Sequence, residues 1–131
     1  RKIPGIKLEI IPLAPATYNR LHASMKTVNN ILGWAHAKAI ENLVERTGAA
    51  KAISDQFART EWTVKKHLGP KGRGINLIQR HKAESDYAVA AASIIARDEF
   101  VRRLQALGKQ AGLDLPKGAS DRVIAAGKVL A

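Results

Sequence analysis

AAKAISDQFARTEWTVKKHLGPKGRGINLIQRH, residues 49–81, holds two short apolar runs on either side of a helical stretch and a glycine-rich one. The first run, AAKAISDQF at 49–57, has the length of a buried strand and carries Asp55 near its C-terminal end. RTEWTVKKHL predicts a short amphipathic helix, GPKGRG at 69–74 a basic turn, and INLIQRH the return to a strand pattern.

The same alternation extends in both directions. Upstream, LEIIPLAP at 8–15 predicts a short strand ended by Pro12 and Pro15. A long helical pattern follows, with Val28, Leu32, Ala35, Ala39 and Leu43 drawing one apolar stripe and Gly48 as its stop. Downstream, HKAESDYAVAAASIIARDEF at 81–100 opens a second long helix from about Ser85 to Gly108, with Ala90, Ile94, Val101 and Leu104 on one side. Its small residues predict close packing on a sheet. A last helix, DRVIAAGKVL, follows Ser120, a suitable cap. Strands alternating with helices predict an α/β sheet with helices packed against it.

The 131 residues suit one domain, here taken as 1–131. Lys and Arg total 22 against 11 Asp and Glu, a formal charge of +11 that favours a polyanionic partner, nucleic acid before membrane surface. The absence of cysteine excludes disulfides, thiolate zinc sites and a cysteine nucleophile, and fits a reducing compartment. The longest apolar run, Tyr87 to Ala96, is about half of a membrane span, so no membrane partner is expected.

Functional groups in α/β sheets gather just beyond the carboxyl ends of strands. Asp55 ends one predicted strand and Glu84 follows the next, so neighbouring strands would bring both carboxylates to one rim. Such a pair suits Mg²⁺ or Mn²⁺, which take oxygen ligands. Each residue also has a plainer use: Asp55 as a cap for the next helix, Glu84 as a favourable charge at a helix N-terminus. Basic residues cluster nearby in sequence, with Lys71 and Arg73 in the glycine-rich turn and Arg80, His81 and Lys82 before Glu84. Flanking one rim, they would contact phosphates. Trp62 could cover the core or stack on a base, and His36 alone is more simply structural.

Four stretches together resemble one family. YNRLHASMKTVNNILGWAHAKAIENL at 18–43, SDQF at 54–57, HKAESDYAVAAASIIARDEF at 81–100 and LPKGAS at 115–120 are similar, in order, to the type 2 ribonucleases H, ribonuclease HIII most closely. The resemblance implies a ribonuclease H-like fold, a mixed sheet flanked by helices. It implies a cytoplasmic endonuclease that hydrolyses the RNA strand of RNA–DNA hybrids with Mg²⁺ or Mn²⁺, two ions, leaving 5′-phosphate and 3′-hydroxyl ends. Of the family's four catalytic carboxylates, the third falls on Asp55 and the fourth on Glu84. The first two form an Asp-Glu pair in an N-terminal glycine-rich strand that this sequence lacks; Asp98-Glu99 does not match it. The chain therefore resembles the C-terminal part of the catalytic domain without its N-terminal strands. It is expected to need that missing segment to complete the site, and to leave a sheet edge and some apolar surface bare. A non-catalytic nucleic-acid-binding module of the same fold is the alternative.

Overall fold

The computed structural model describes residues 4–131, in two compact units: one up to Ala90, the other from Ala91 to Ala131. Helix α1 (Pro15–Met25) starts the first unit, with Pro15 at its first turn, where a missing N–H costs nothing. Lys26 then takes a left-handed conformation (φ 68°) and Thr27 caps α2 (Val28–Thr47), its hydroxyl accepting from the Asn30 N–H at 3.2 Å. The stretch expected to be continuously helical is thus broken in two. Gly48 stops α2 as expected, in the left-handed region (φ 67°), with its N–H on the Val44 carbonyl.

Strand β1 (Lys51–Asp55) and strand β2 (Asn76–Arg80) pair in parallel, Lys51 opposite Asn76 and Asp55 opposite Arg80. Between them come two single-turn helices, α3 (Trp62–Lys65) and α4 (Pro70–Arg73). The basic stretch expected to be a turn is therefore mostly helical. Pro70 starts it, and the Glu41 carboxylate of α2 accepts from the Lys71 and Gly72 N–H groups at 2.9 and 2.6 Å. Those N–H groups would otherwise lack intrahelical partners.

The core of this unit joins Ala37 of α2, Val64 of α3 and Leu68, with Ile40, Phe57 and Leu77 packed around them. Val64 and Ile31 are fully buried, each worth about 1.5–3 kcal/mol relative to exposure. Gly33 lets α2 and α3 meet: a Cβ there would lie 2.2 Å from the Thr63 carbonyl oxygen.

Three expectations fail here. Residues 8–14 form no strand; the segment is irregular, and Pro12 has no N–H to give a ladder. The face of α2 that is buried carries Ile31, Gly33 and Ala37, whereas Val28 and Leu32 are exposed. The helix is apolar on more than one side, and its contact with α3 and α4 selects the side that is buried. The Ala-rich start of α5 (Tyr87–Ala111) is also exposed, with Tyr87 at 93% and Ile94 at 70%.

In the second unit, α5 ends near Gly112, left-handed at φ 65°, and the Leu113 N–H returns to the Gly108 carbonyl at 3.0 Å. On its surface Arg102 pairs with Asp98 and Glu99, and Arg103 with Glu99. Ser120 does precede α6 (Asp121–Leu130), though its carbonyl and not its hydroxyl accepts the first helical N–H groups, from Val123 and Ile124.

Candidate active site

Because β1 and β2 are parallel and in register, their carboxyl ends finish level. The Gln56 N–H adds one more rung, to the Arg80 carbonyl at 3.1 Å. The chain then has to turn sharply. Lys82 does this in the left-handed region (φ 55°, ψ 42°), a conformation costly for a side chain bearing a Cβ. The turn drives Ala83 into the interior, where it is 0% exposed, and aims its N–H at Asp55 Oδ1, 3.2 Å away. Glu84 follows within a short 3₁₀ turn, Ala83–Ser85, and is exposed. One hydrogen bond thus ties the end of β1 to the turn that carries Glu84.

Asp55 caps no helix among the described residues, and the hydrogen-bonding cap of α5 comes from a residue other than Glu84. Asp55 does not cap α3, which has no side-chain cap. The start of α5 is capped by Asp86, whose Oδ1 accepts from the Ala88 N–H at 2.9 Å. Among the described residues neither Asp55 Oδ2 nor the Glu84 carboxylate has a hydrogen-bond or ion-pair partner. Two free hard-oxygen donors on one rim fit a divalent cation in kind. They are only part of a set, since no three His, Asp or Glu side chains among the described residues converge on one point.

Behind Asp55 lies a group that the sequence had left as a lone histidine. His36 Nδ1, on α2, is 3.1 Å from Ser54 Oγ, and its ring tilts against that of Phe57 at 4.8 Å between centroids. The Ser54 hydroxyl is buried and donates to the Asp55 carbonyl at 3.1 Å. Burial lowers the His36 pKa below its usual value, partly opposed by the nearby Asp55 charge. The SDQF motif gave half of this cluster; an 18-residue separation hid the other half.

The basic residues expected at one rim divide between the two ends of β2. Arg80, His81 and Lys82 are exposed beside Asp55 and Glu84, with no carboxylate in ion-pair range among the described residues. Lys71 and Arg73 belong to α4, which precedes β2, so the five-residue strand sets them roughly 13 Å or more from the rim at about 3.3 Å per residue. Lys71 pairs there with Glu45 at 2.8 Å. Trp62, 65% exposed, borders an open hollow with Lys66, Leu68 and Arg73 and does not cover the core.

A family model described as Ribonuclease HII matches residues 3–126. The chain belongs to this family. Among curated relatives, Ribonuclease HIII of Chlamydia pneumoniae is 48% identical over 124 residues, covering 94% of this chain and 42% of the relative. That of Protochlamydia amoebophila is 44% identical, covering 91% and 39%. The chain therefore spans about two-fifths of the length of the curated relatives it matches, as expected of a part of a ribonuclease HIII. Its fold is that of the family: a crystal structure of Bst-RNase HIII in complex with Mn²⁺ superposes with a TM-score of 0.78 at 31% identity, over 90% of this chain and 40% of that one.

Proposed function

We propose that this chain supplies the Asp55–Glu84 half of a ribonuclease H active site that hydrolyses the RNA strand of RNA–DNA hybrids. The observation that carries the reading is the bond from Ala83 N–H to Asp55 Oδ1, which ties the end of β1 to the turn bearing Glu84 in a chain of the ribonuclease HII family. Asp55 and Glu84 would hold Mg²⁺ or Mn²⁺, two ions with the rest of the donor set, and a solved relative does bind Mn²⁺. Divalent ions so held supply Lewis acidity that favours attack of water and departure of the 3′-oxygen.

The protein's own contribution is positional. Asp55, through Oδ2, and Glu84 present carboxylate oxygens that have no partner among the described residues, and Ala83 keeps the turn that bears Glu84 tied to the strand. Lys82, His81 and Arg80 draw the phosphate backbone toward them, a salt-dependent attraction without base specificity. The products would be 5′-phosphate and 3′-hydroxyl ends, and the remaining carboxylates would come from outside the described residues.

The test is cleavage of a labelled hybrid by the longest natural polypeptide containing this sequence, with Mg²⁺ and with Mn²⁺. Asp55→Asn and Glu84→Gln should abolish cleavage and keep hybrid binding. Lys82→Ala should weaken binding and reduce the salt slope by about 1. A parent that binds hybrid without cutting it would overturn the nuclease reading and leave a basic binding module.

A further inference from the structure

Asp55 is approached from two directions, and only the first, from Ala83, belongs to the rim. The second comes from α2. His36 touches both residues that bracket the Asp55-Gln56 pair: Ser54 through Nδ1 at 3.1 Å, and Phe57 through its ring at 4.8 Å. Its neighbour Ala37 is 1% exposed, so α2 is pressed against this place and the imidazole has little freedom to leave. Ser54 has one hydroxyl proton. With that proton on the Asp55 carbonyl, 3.1 Å away, Ser54 Oγ is left to accept, and Nδ1–H of His36 is the donor that reaches it.

We propose that His36 is a positioning residue for Asp55, fixing the backbone of the Ser54–Phe57 segment so that the carboxylate meets a divalent cation in one orientation. This rests on the assignment of Asp55 to metal made above. His36 takes no part in coordination itself. It acts through Ser54, as an outer group that orients a ligand, and loss of such groups typically weakens metal binding 10–100-fold.

The experiment titrates the longest natural polypeptide containing this sequence with Mn²⁺ alone and follows paramagnetic broadening of the Asp55 and Glu84 amide signals. His36→Phe keeps a ring against Phe57 and removes the donor, and should weaken Mn²⁺ binding about tenfold, the low end of that range. His36→Asn places an amide N–H where Nδ1–H stood and should restore binding to within about twofold, because the hydrogen bond to Ser54 is re-formed. His36→Gln places its amide at the other ring nitrogen and should not. Asp55→Asn should remove the broadening altogether.

Unchanged Mn²⁺ binding in the Phe variant would overturn the proposal while leaving Asp55 as a ligand. Equal weakening in Asn and Gln would also overturn it, since packing alone would then explain His36; this comparison decides the matter even where the Phe variant does not fold. That polypeptide in its wild-type form, without broadening at Asp55 and Glu84, would instead refute the metal reading, and the positioning role with it.

Discussion

Replacing Asp55 separates what it does for the fold from what it does for chemistry. Its Oδ1 accepts the Ala83 N–H at 3.2 Å, and Ala83 is wholly buried, so that N–H has no access to water. Asp55→Ala orphans a buried donor, which costs about 1–3 kcal/mol; the bond is long for its kind, so about 1–2 kcal/mol is expected. Asp55→Asn keeps a carbonyl oxygen in the same place and should change stability by less than about 0.5 kcal/mol, while removing the anionic oxygen a cation needs. Urea unfolding followed by circular dichroism gives both numbers. Amide hydrogen exchange at Ala83 should be faster in the Ala variant only. Equal stabilities for the two variants, with Ala83 exchange unchanged in both, would refute the idea that this bond ties the turn to the strand.

Gly33→Ala and Gly127→Ala should move stability in opposite directions, by thermal unfolding. The first forces a Cβ against the Thr63 carbonyl, costing about 1–3 kcal/mol against about 1 kcal/mol of helix propensity; the second meets nothing within 4 Å and should gain about 0.5–1 kcal/mol. Glu41→Ala strips both acceptors from the start of α4 and should cost about 1–2 kcal/mol, whereas Lys71→Ala, which removes only an exposed pair with Glu45, should cost under about 0.5 kcal/mol in the same urea assay. His36 and His67 both have pKa values lowered from 6.5, mainly by burial, with Lys66 adding to the effect at His67. Below 6.5 the unfolded chain binds more protons than the folded one. Their contribution is therefore present above pH 6.5 and lost as pH falls through the lowered folded values. A Tm series from pH 8 to 5 should fall on the acid side, less steeply in His36→Phe and in His67→Leu; unaltered slopes in both would assign the acid loss to other groups.

The elements between residues 28 and 80 were legible because their signals are local. Apolar spacing, Gly48 as a stop and the lengths of the two strands each depend on a few adjacent residues. The 8–15 segment misled for the same reason, since a strand needs a neighbour to pair with and apolar residues alone do not supply one. Lys71 and Arg73 were grouped with Lys82 because they are near in sequence, but β2 runs between them and carries them to opposite ends. The Ala-rich start of α5 reads as buried, yet in this chain it faces solvent, because burial requires a covering element and composition only permits one.

The sequence by itself determined the α/β class and the family, and it pointed to Asp55 and Glu84 as the pair to test, because these follow from residue type, order and short spacing. The tertiary structure alone decided how they are held. The register that brings Asp55 level with Arg80, the left-handed turn at Lys82 that buries Ala83, and the reach of His36 across 18 residues to Ser54 are products of packing. Hydrogen bonds of this kind form where chain segments meet in space, and one-dimensional spacing carries no record of the meeting.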